Sequence, residues 1–318
     1  MQRWVFRQYG NSSVLEQEEL NTVTPKPGRL LVRVGAISIN PIDWKLMSGS
    51  LRFVAPIRFP SVPCFDLAGV VDDANGIEGY KPGDRIFVRL GGRSGGAACT
   101  HVEVDPLIAA KVPDGLSIEE AASIPLAALT ALQGLRDYGR LPIEKAGKRL
   151  LIVGASGGVG HFAVQIAAAA GAHVTAVCGT RNLEMVTNLG ADEVIDYRKQ
   201  KTFDNKEGLP YDLVFDCVGE RPLKFGVRFA PVIGRGGIYV TPVPSVDALL
   251  RAIQLWKKPK VRVFLMQASQ PDLNYLSQLY REGKLRPVID STFSFDQLPG
   301  AFARAMTGRT SGKIVVRM

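Results

Sequence analysis

The sequence predicts an α/β chain built around a parallel sheet with helices on both faces, accompanied by a second, β-rich unit. Three observations predict it. Short apolar runs bounded by Pro-Gly turns fill the first hundred residues, capped Ala-rich helices begin near Ser117, and strand alternates with helix from Arg149 onward. The 318 residues fit about two domains at roughly 150 residues each. Hydrophobic residues at 46% and charged residues at 22% allow a packed core and exclude a disordered chain. No run of 18 or more apolar residues offers a membrane-spanning helix. Glycine is in excess, 33 of 318 residues, and falls partly in clusters, so backbone geometry matters at particular loops.

The elements follow in order. Leu30-Leu31-Val32-Arg33-Val34, Ala68-Gly69-Val70-Val71 and Arg85-Ile86-Phe87-Val88 read as strands. The first and third follow Pro25-Lys26-Pro27-Gly28 and Lys81-Pro82-Gly83-Asp84, where Pro presets φ and Gly supplies a positive φ. Strands at such spacing suggest a barrel or sandwich. Ser117 with Glu120 three positions on is a capping box, and Pro125 should kink or split the helix it opens. Leu150 to Val153 is a buried-type strand, followed by a glycine turn and an Ala-rich helix ending near Gly171. Val174 to Val177 is the next strand, then a helix from about Leu183 to Leu189. Val194-Ile195, Leu213-Val214-Phe215 and Gly237-Ile238-Tyr239-Val240 supply three more strands. From about Pro271 the structure becomes mixed, and Gly312 to Val316 is a closing strand. There is no internal repeat.

The formal charge of +9 is not focused in the way nucleic-acid binding requires. The densest basic run, Lys257 to Arg262, has no interleaved aromatics for stacking bases and reads first as a solvated face. No nucleic-acid partner is expected, while peripheral contact with an anionic membrane surface or attraction of an anionic cofactor stays open. Cys64, Cys99, Cys178 and Cys217 form no CxxC pair, which speaks against a zinc clip or redox dithiol and for a reducing compartment. MQRWVFRQYG lacks an apolar signal core, so the cytoplasm is the expected location.

The sharpest motif is Gly154-Ala155-Ser156-Gly157-Gly158-Val159-Gly160, which follows a strand and opens a helix. A helix N-terminus presents free N–H groups and a positive dipole end, suited to a pyrophosphate. Gly157 lets backbone approach the phosphates and Gly160 lets helix pack on strand. Ala155 stands where such turns usually carry their first glycine, so the bare motif is incomplete and its setting carries the reading. About twenty residues on, Cys178-Gly179-Thr180-Arg181-Asn182 ends the second strand without the acid that would bind the ribose hydroxyls of NADH. Arg181 is placed to pair with a 2′-phosphate and Thr180 to add a hydroxyl donor, which favours NADPH. The alternative for Arg181 is a surface residue starting the next helix.

Together with Asn40-Pro41-Ile42-Asp43-Trp44-Lys45, Pro63 to Gly69, Leu189 to Tyr197 and Gly312-Lys313, these motifs resemble the medium-chain dehydrogenase/reductase superfamily. Within it the similarity is to the zinc-free quinone oxidoreductase branch, the zeta-crystallin-like proteins. Cys178 to Asn182 resembles the plant chloroplast-envelope quinone oxidoreductase homologues and enone oxidoreductases. The resemblance implies a GroES-like β-barrel catalytic domain over 1–122 and 268–318, with a Rossmann NADP-binding domain over 123–267 and the cofactor in the cleft between them. It implies a homodimer through an edge strand, for which Val261 to Leu265 is the candidate.

The resemblance also implies roles. A Cys ligand of the zinc-dependent relatives aligns with Asn40 and a His ligand with Phe65, and neither residue here suits zinc, so no metal is expected. Asn40 and Thr130 flank the nicotinamide ring. Asp43 either braces the loop holding them or is catalytic. Lys45 either hydrogen-bonds a substrate carbonyl, stabilising an enolate, or is a solvent-facing charge. Cofactor contacts fall on Ala155, Ser156, Gly157, Gly158, Val159 and Gly160, on Gly179, Thr180 and Arg181, on Cys217, Val218 and Gly219, and on Gly312 and Lys313. Tyr197 aligns with a tyrosine near the 2′-phosphate, or else is a packed strand-end aromatic. The Gly91 to Gly96 loop is either a lid over substrate or an ordinary surface loop. The implied activity is NADPH-dependent hydride transfer to quinones or to the activated C=C bond of α,β-unsaturated carbonyls. An enoyl-thioester reductase and a non-catalytic NADPH-binding sensor or structural protein are the alternatives.

Overall fold

A computed structural model describes residues 1–21, 24–92, 95–142, 147–200, 203, 208–219, 232–243 and 260–318. The chain divides into two compact units: Met1–Leu129 with Ala268–Arg281 and Pro287–Met318, and Thr130–Gln267 with Glu282–Arg286.

The first unit holds a two-stranded sheet of β1 (Gln2–Val5) and β2 (Glu16–Glu19). Its main sheet contains β3 (Leu30–Ile39), β4 (Asp66–Asp73), β5 (Arg85–Arg89), β6 (His101–Val104) and β7 (Ala109–Lys111). Two strands from the chain's end, β14 (Ile289–Ser294) and β15 (Lys313–Arg317), complete it in the order β14-β15-β3-β4-β5-β7, with β6 also paired to β3. The pairs along this order are antiparallel except β14–β15. β3 extends five residues past the run visible in the sequence, because its second half, Ala36 to Ile39, pairs with both β4 and β15 and is buried. Such a segment carries no polar alternation to announce it. Leu30, Val32, Ile37, Leu67, Ile86, Val88, Ile314 and Val316 form the core under these strands, together with Phe302. Phe302 comes from α7 (Leu298–Met306).

The helices of this unit start where local chemistry directs. α1 (Pro41–Met47) begins with Pro at its first position, where a missing N–H costs nothing. α2 (Ile118–Ser123) is capped by Ser117, whose hydroxyl accepts from the Glu120 N–H while the Glu120 carboxylate accepts from the Ser117 N–H. Pro125 then separates it from α3 (Pro125–Gln133), as expected.

The second unit is a six-stranded, all-parallel sheet in the order β10-β9-β8-β11-β12-β13. Its strands are β8 (Arg149–Val153), β9 (His173–Cys178), β10 (Glu193–Asp196), β11 (Tyr211–Asp216), β12 (Ile233–Thr241) and β13 (Lys260–Val263). α4 (Gly160–Ala169) connects β8 to β9, and α5 (Leu183–Asn188) lies between β9 and β10. The chain leaves β8 toward one side of the sheet and resumes on the other side with β11. The point of reversal therefore falls between the C-terminal ends of β8 and β11, where open α/β sheets receive their ligands. Among the described residues β13 pairs only with β12 and forms an edge. Lys257 to Pro259 of the basic run, and Arg93 and Ser94 of the glycine-rich loop, lie outside the described residues.

The first division falls at 129/130 where 122/123 was expected, the second falls at 267/268, and residues 282–286 return to the second unit. α2 packs on β3, β4 and β15, and the Leu126 N–H at the start of α3 donates to Asp66 on β4 at 3.0 Å, so both belong to the first unit. Residues 282–286 follow α6 (Gln270–Arg281) and join the second unit through Gln165. Its amide donates to the Arg286 carbonyl at 3.0 Å and accepts from the Arg286 N–H at 2.8 Å. No helix among the described residues is long and apolar enough to cross a membrane.

Candidate active site

In the first unit, Asn40, Asp43, Asp66 and Lys313 form a buried polar corner where β3 turns into α1; all four are no more than 3% exposed. Lys313 Nζ donates to Asn40 Oδ1 at 2.5 Å and stands 3.6 Å from Asp66 Oδ2. Asn40 Nδ2 donates to that same Asp66 oxygen at 2.8 Å, and Ser38 Oγ joins it at 3.1 Å. The Asn40 backbone N–H donates to Asp43 Oδ2 at 2.6 Å. Both ends of the Asn40 amide and its N–H are thus engaged within the corner.

Burial dominates the electrostatics here. It pushes the Asp66 carboxyl up and the Lys313 ammonium down, and each is held charged by the other. It raises Asp43 to about 7, against the Asn40 N–H, which favours the carboxylate. Asp43 Oδ1 is buried without a hydrogen-bond partner, as is Arg89 Nε, whose guanidinium lies over the Phe65 ring at 4.6 Å. The positive charges of Arg89 and Lys313 both favour ionised Asp43. Cys64 holds φ +73, a left-handed conformation that costs a non-glycine residue energy and collects at functional sites. Gly95, from the glycine-rich loop, fits against it: a Cβ there would lie 2.1 Å from the Cys64 carbonyl oxygen. At least part of that loop's glycine content therefore serves close packing.

Lys45, on α1, is half-buried with its ammonium 5.6 Å from the centre of the Trp44 ring. Thr130 is buried on α3 at the start of the second unit. Lys313, which the resemblance puts on the cofactor, has its ammonium on Asn40 and Asp66. Gly312 holds φ +89, and a Cβ on it would meet the Val288 carbonyl oxygen at 2.1 Å.

In the second unit, the glycine turn occupies the end of β8 at the sheet's reversal point. Gly154 takes φ +77, and the Gly154 and Ala155 N–H groups both donate to the Val177 carbonyl. Ala155 is fully buried, so a methyl group is accommodated there. A Cβ on Gly160 would sit 2.1 Å from the Gly154 carbonyl oxygen. Ser156, Gly157, Gly158 and Val159 are half-exposed. Among the described residues the N–H groups of Ser156, Gly158 and Val159 have no acceptor, leaving a cradle of donors at the start of α4.

Beside it the turn after β11 is braced by Asp216, whose Oδ1 accepts from the N–H groups of Val218 and Gly219 while Oδ2 accepts from the Tyr239 hydroxyl. Val218 is exposed and neighbours Gly154; Cys217 is half-buried with its thiol pushed well up by burial.

At the end of β9, Arg181 is exposed and Gly179 packs against the ring of the half-exposed Tyr197. The Thr180 hydroxyl, expected as a phosphate donor, instead donates to Asp196 Oδ2 at 2.6 Å. This hydrogen bond holds the Asp196 carboxyl below its usual range. The pairing of β10 with β9 sets Asp196 opposite Cys178, so a carboxylate does stand near this strand end, supplied from the neighbouring strand. Arg198 adds a second guanidinium, 6.0 Å from the centre of the Tyr197 ring.

The alcohol dehydrogenase GroES-like domain matches residues 26–114, and the zinc-binding dehydrogenase model matches residues 189–316. The chain is 36% identical over 316 residues to the chloroplast envelope quinone oxidoreductase homologue of Arabidopsis thaliana, covering 96% of this chain and 95% of that protein. This chain belongs to the quinone oxidoreductase branch of the medium-chain dehydrogenase/reductase superfamily. It is an oxidoreductase of that family. The 2-methylene-furan-3-one reductase of Solanum lycopersicum is 33% identical over 331 residues, covering 99% of this chain and 79% of that protein. Among solved structures, the quinone oxidoreductase of Coxiella burnetii superposes with a TM-score of 0.86 at 30% identity, covering 100% of this chain and 99% of that one.

The corner around Asn40 does not fit the zinc that the matched model's description names. A buried ammonium already bonds Asn40 and neighbours Asp66, and like charge opposes a second cation there. Among the described residues no group of three or more His, Cys, Asp or Glu side chains is arranged to hold a metal. The glycine turn, by contrast, fits a dinucleotide. Reasoning from the sequence assigned no role to Ser38, Asp66, Arg89, Asp196 and Arg198. Asp66 did leave a signal: an acid opening the apolar run Leu67 to Val71 is a buried charge that needs a partner.

Proposed function

We propose that this chain is an NADPH-dependent, zinc-independent reductase of quinones or of the activated C=C bond of α,β-unsaturated carbonyls. The observation that carries the cofactor half is the donor cradle of Ser156, Gly158 and Val159, whose N–H groups have no acceptor among the described residues, with Arg181 at the end of the next strand. The N–H groups bind a pyrophosphate and Arg181 pairs with a 2′-phosphate. When bound, NADPH supplies a hydride from nicotinamide C4. The Asn40 corner is buried from solvent, and Lys45, half-exposed on α1, is a donor of the same unit. Lys45 hydrogen-bonds the substrate carbonyl and stabilises the enolate formed as hydride adds to the β-carbon. A proton from solvent or a side chain then completes the α-carbon. The tomato relative's name supports the enone, and the Arabidopsis relative's name the quinone. β13, an edge strand among the described residues, is where a second copy would pair; sedimentation at the monomer mass of 34.5 kDa would remove that part of the reading.

The deciding experiment offers C4-deuterated NADPH with a small enone and an ortho-quinone in parallel. Deuterium on the enone β-carbon is the expected result. Quinone turnover alone would narrow the activity to quinones. Binding of NADPH without reduction of either would overturn the proposal in favour of a thioester substrate or a non-catalytic role.

A further inference from the structure

Asn40 sits in a ring of three side chains whose donor and acceptor characters leave its amide one orientation. An ammonium only donates, so only the carbonyl end of the amide can face Lys313; a carboxylate only accepts, so only the NH2 end can face Asp66. The observed bonds, Lys313 Nζ to Asn40 Oδ1 and Asn40 Nδ2 to Asp66 Oδ2, follow that rule. Flipping the amide would turn NH2 toward the ammonium and oxygen toward the carboxylate, two repulsive contacts in a site buried from solvent.

The backbone delivers Lys313 to this place. β15 pairs antiparallel with β3, Ile314 opposite Ile39, which sets Lys313 at the level of Asn40. The Lys313 N–H is fixed on the Val288 carbonyl at 2.9 Å, and Gly312 makes room for that approach. On the other side the Asp43 carboxylate holds the Asn40 N–H, and the residue after Asn40 starts α1, the helix that carries Lys45.

We propose that Lys313 is the positioning residue of this corner: its ammonium closes the Asn40–Asp66 ring, fixing the Asn40 amide and the entry to α1, and does not serve as a cofactor contact. Buried pairs of this kind contribute little net stability, so holding the Asn40 amide is the role the geometry leaves to it. The link to turnover rests on the reductase reading above; the link to geometry does not.

Two measurements test it. Reductive methylation of the intact protein, read by mass spectrometry, should modify Lys313 far more slowly than the half-buried Lys45, with or without NADPH. Modification of Lys313 as fast as Lys45, or a clear protection by saturating NADPH, would overturn the proposal. In the second, Lys313→Met should lower kcat by about tenfold or more while the NADPH Kd stays within about threefold, and Lys313→Arg should regain part of the loss. A rise in NADPH Kd matching the fall in kcat would make Lys313 a cofactor contact and sink the idea. Methylation of the wild-type protein decides the question if Lys313→Met does not fold. It also decides it if no substrate is reduced, so a failure of the reductase reading stays separable from a failure of this one.

Discussion

The Thr180 hydroxyl donates to Asp196 at 2.6 Å, tying the end of β9 to the end of β10. Its single proton is spent there, so the hydroxyl cannot also donate to an adenosine phosphate. Asp196 in turn accepts the Arg198 N–H at 3.0 Å on its other oxygen, so both of its oxygens brace this turn. Thr180→Ala should therefore cost stability, about 0.5–1.5 kcal/mol by urea unfolding, and leave the ratio of NADPH to NADH affinity unchanged. A fall in that ratio would show that the hydroxyl reaches the phosphate after all.

On the NADPH reading proposed above, selectivity rests on Arg181, with Arg198 adding a second guanidinium beside Tyr197. Removing a charge-assisted partner of the 2′-phosphate costs roughly 1.5–3 kcal/mol, or about 10- to 100-fold in Kd. Arg181→Ala should raise the NADPH Kd by that factor and move the NADH Kd little. Titration of cofactor fluorescence with both nucleotides checks it, and equal losses for the two would remove the 2′-phosphate role.

Asp43 gives the protein a pH signature. Burial raises its carboxyl to about 7 in the folded chain, against the ordinary value of 3.8. Between those two values the folded state holds a proton the unfolded state has released. Stability attributable to Asp43 is therefore fully present below pH 4 and declines as pH rises toward 7, by up to about 4 kcal/mol. Asp43→Asn keeps an acceptor for the Asn40 N–H and removes the titration. Urea midpoints measured from pH 4 to 8 should fall less steeply in the variant than in the wild type; parallel curves would show that Asp43 does not titrate in this window.

Much of this was legible in the sequence, and the limit is physical. Turns and strand–helix alternation are local, so Pro125, the Ser117 capping box and the glycine turn with its flanking strand and helix could be read from neighbours a few residues away. Asp66 and Lys313 act through partners far away in the chain, Asn40 lying 273 positions from Lys313, and Asp196 meets Thr180 from the neighbouring strand. Only strand pairing brings them together. No acid follows β9 in the sequence, yet the register of β10 places Asp196 beside that strand end. The second half of β3 was missed for a related reason: a strand flanked on both sides and buried on both faces loses the alternation that marks a strand.

The glycine turn separates two kinds of glycine requirement. At Gly160 a Cβ would stand 2.1 Å from the Gly154 carbonyl oxygen and 2.7 Å from the Ala155 Cα, both backbone atoms that the β8–α4 connection holds in place. At Gly157 the nearest atom to a Cβ is 3.3 Å away, a contact that a small shift relieves. Gly160→Ala should thus lower stability by about 3 kcal/mol or more through overpacking, while Gly157→Ala should cost under about 1 kcal/mol. Cofactor affinity should show the reverse contrast, because a methyl group at the half-exposed Gly157 stands among the free N–H groups of Ser156, Gly158 and Val159 where a pyrophosphate must approach. Thermal unfolding of both variants, with NADPH titration of Gly157→Ala, checks the pair. Gly157→Ala binding NADPH as tightly as the wild type would mean that the cradle does not receive the phosphates.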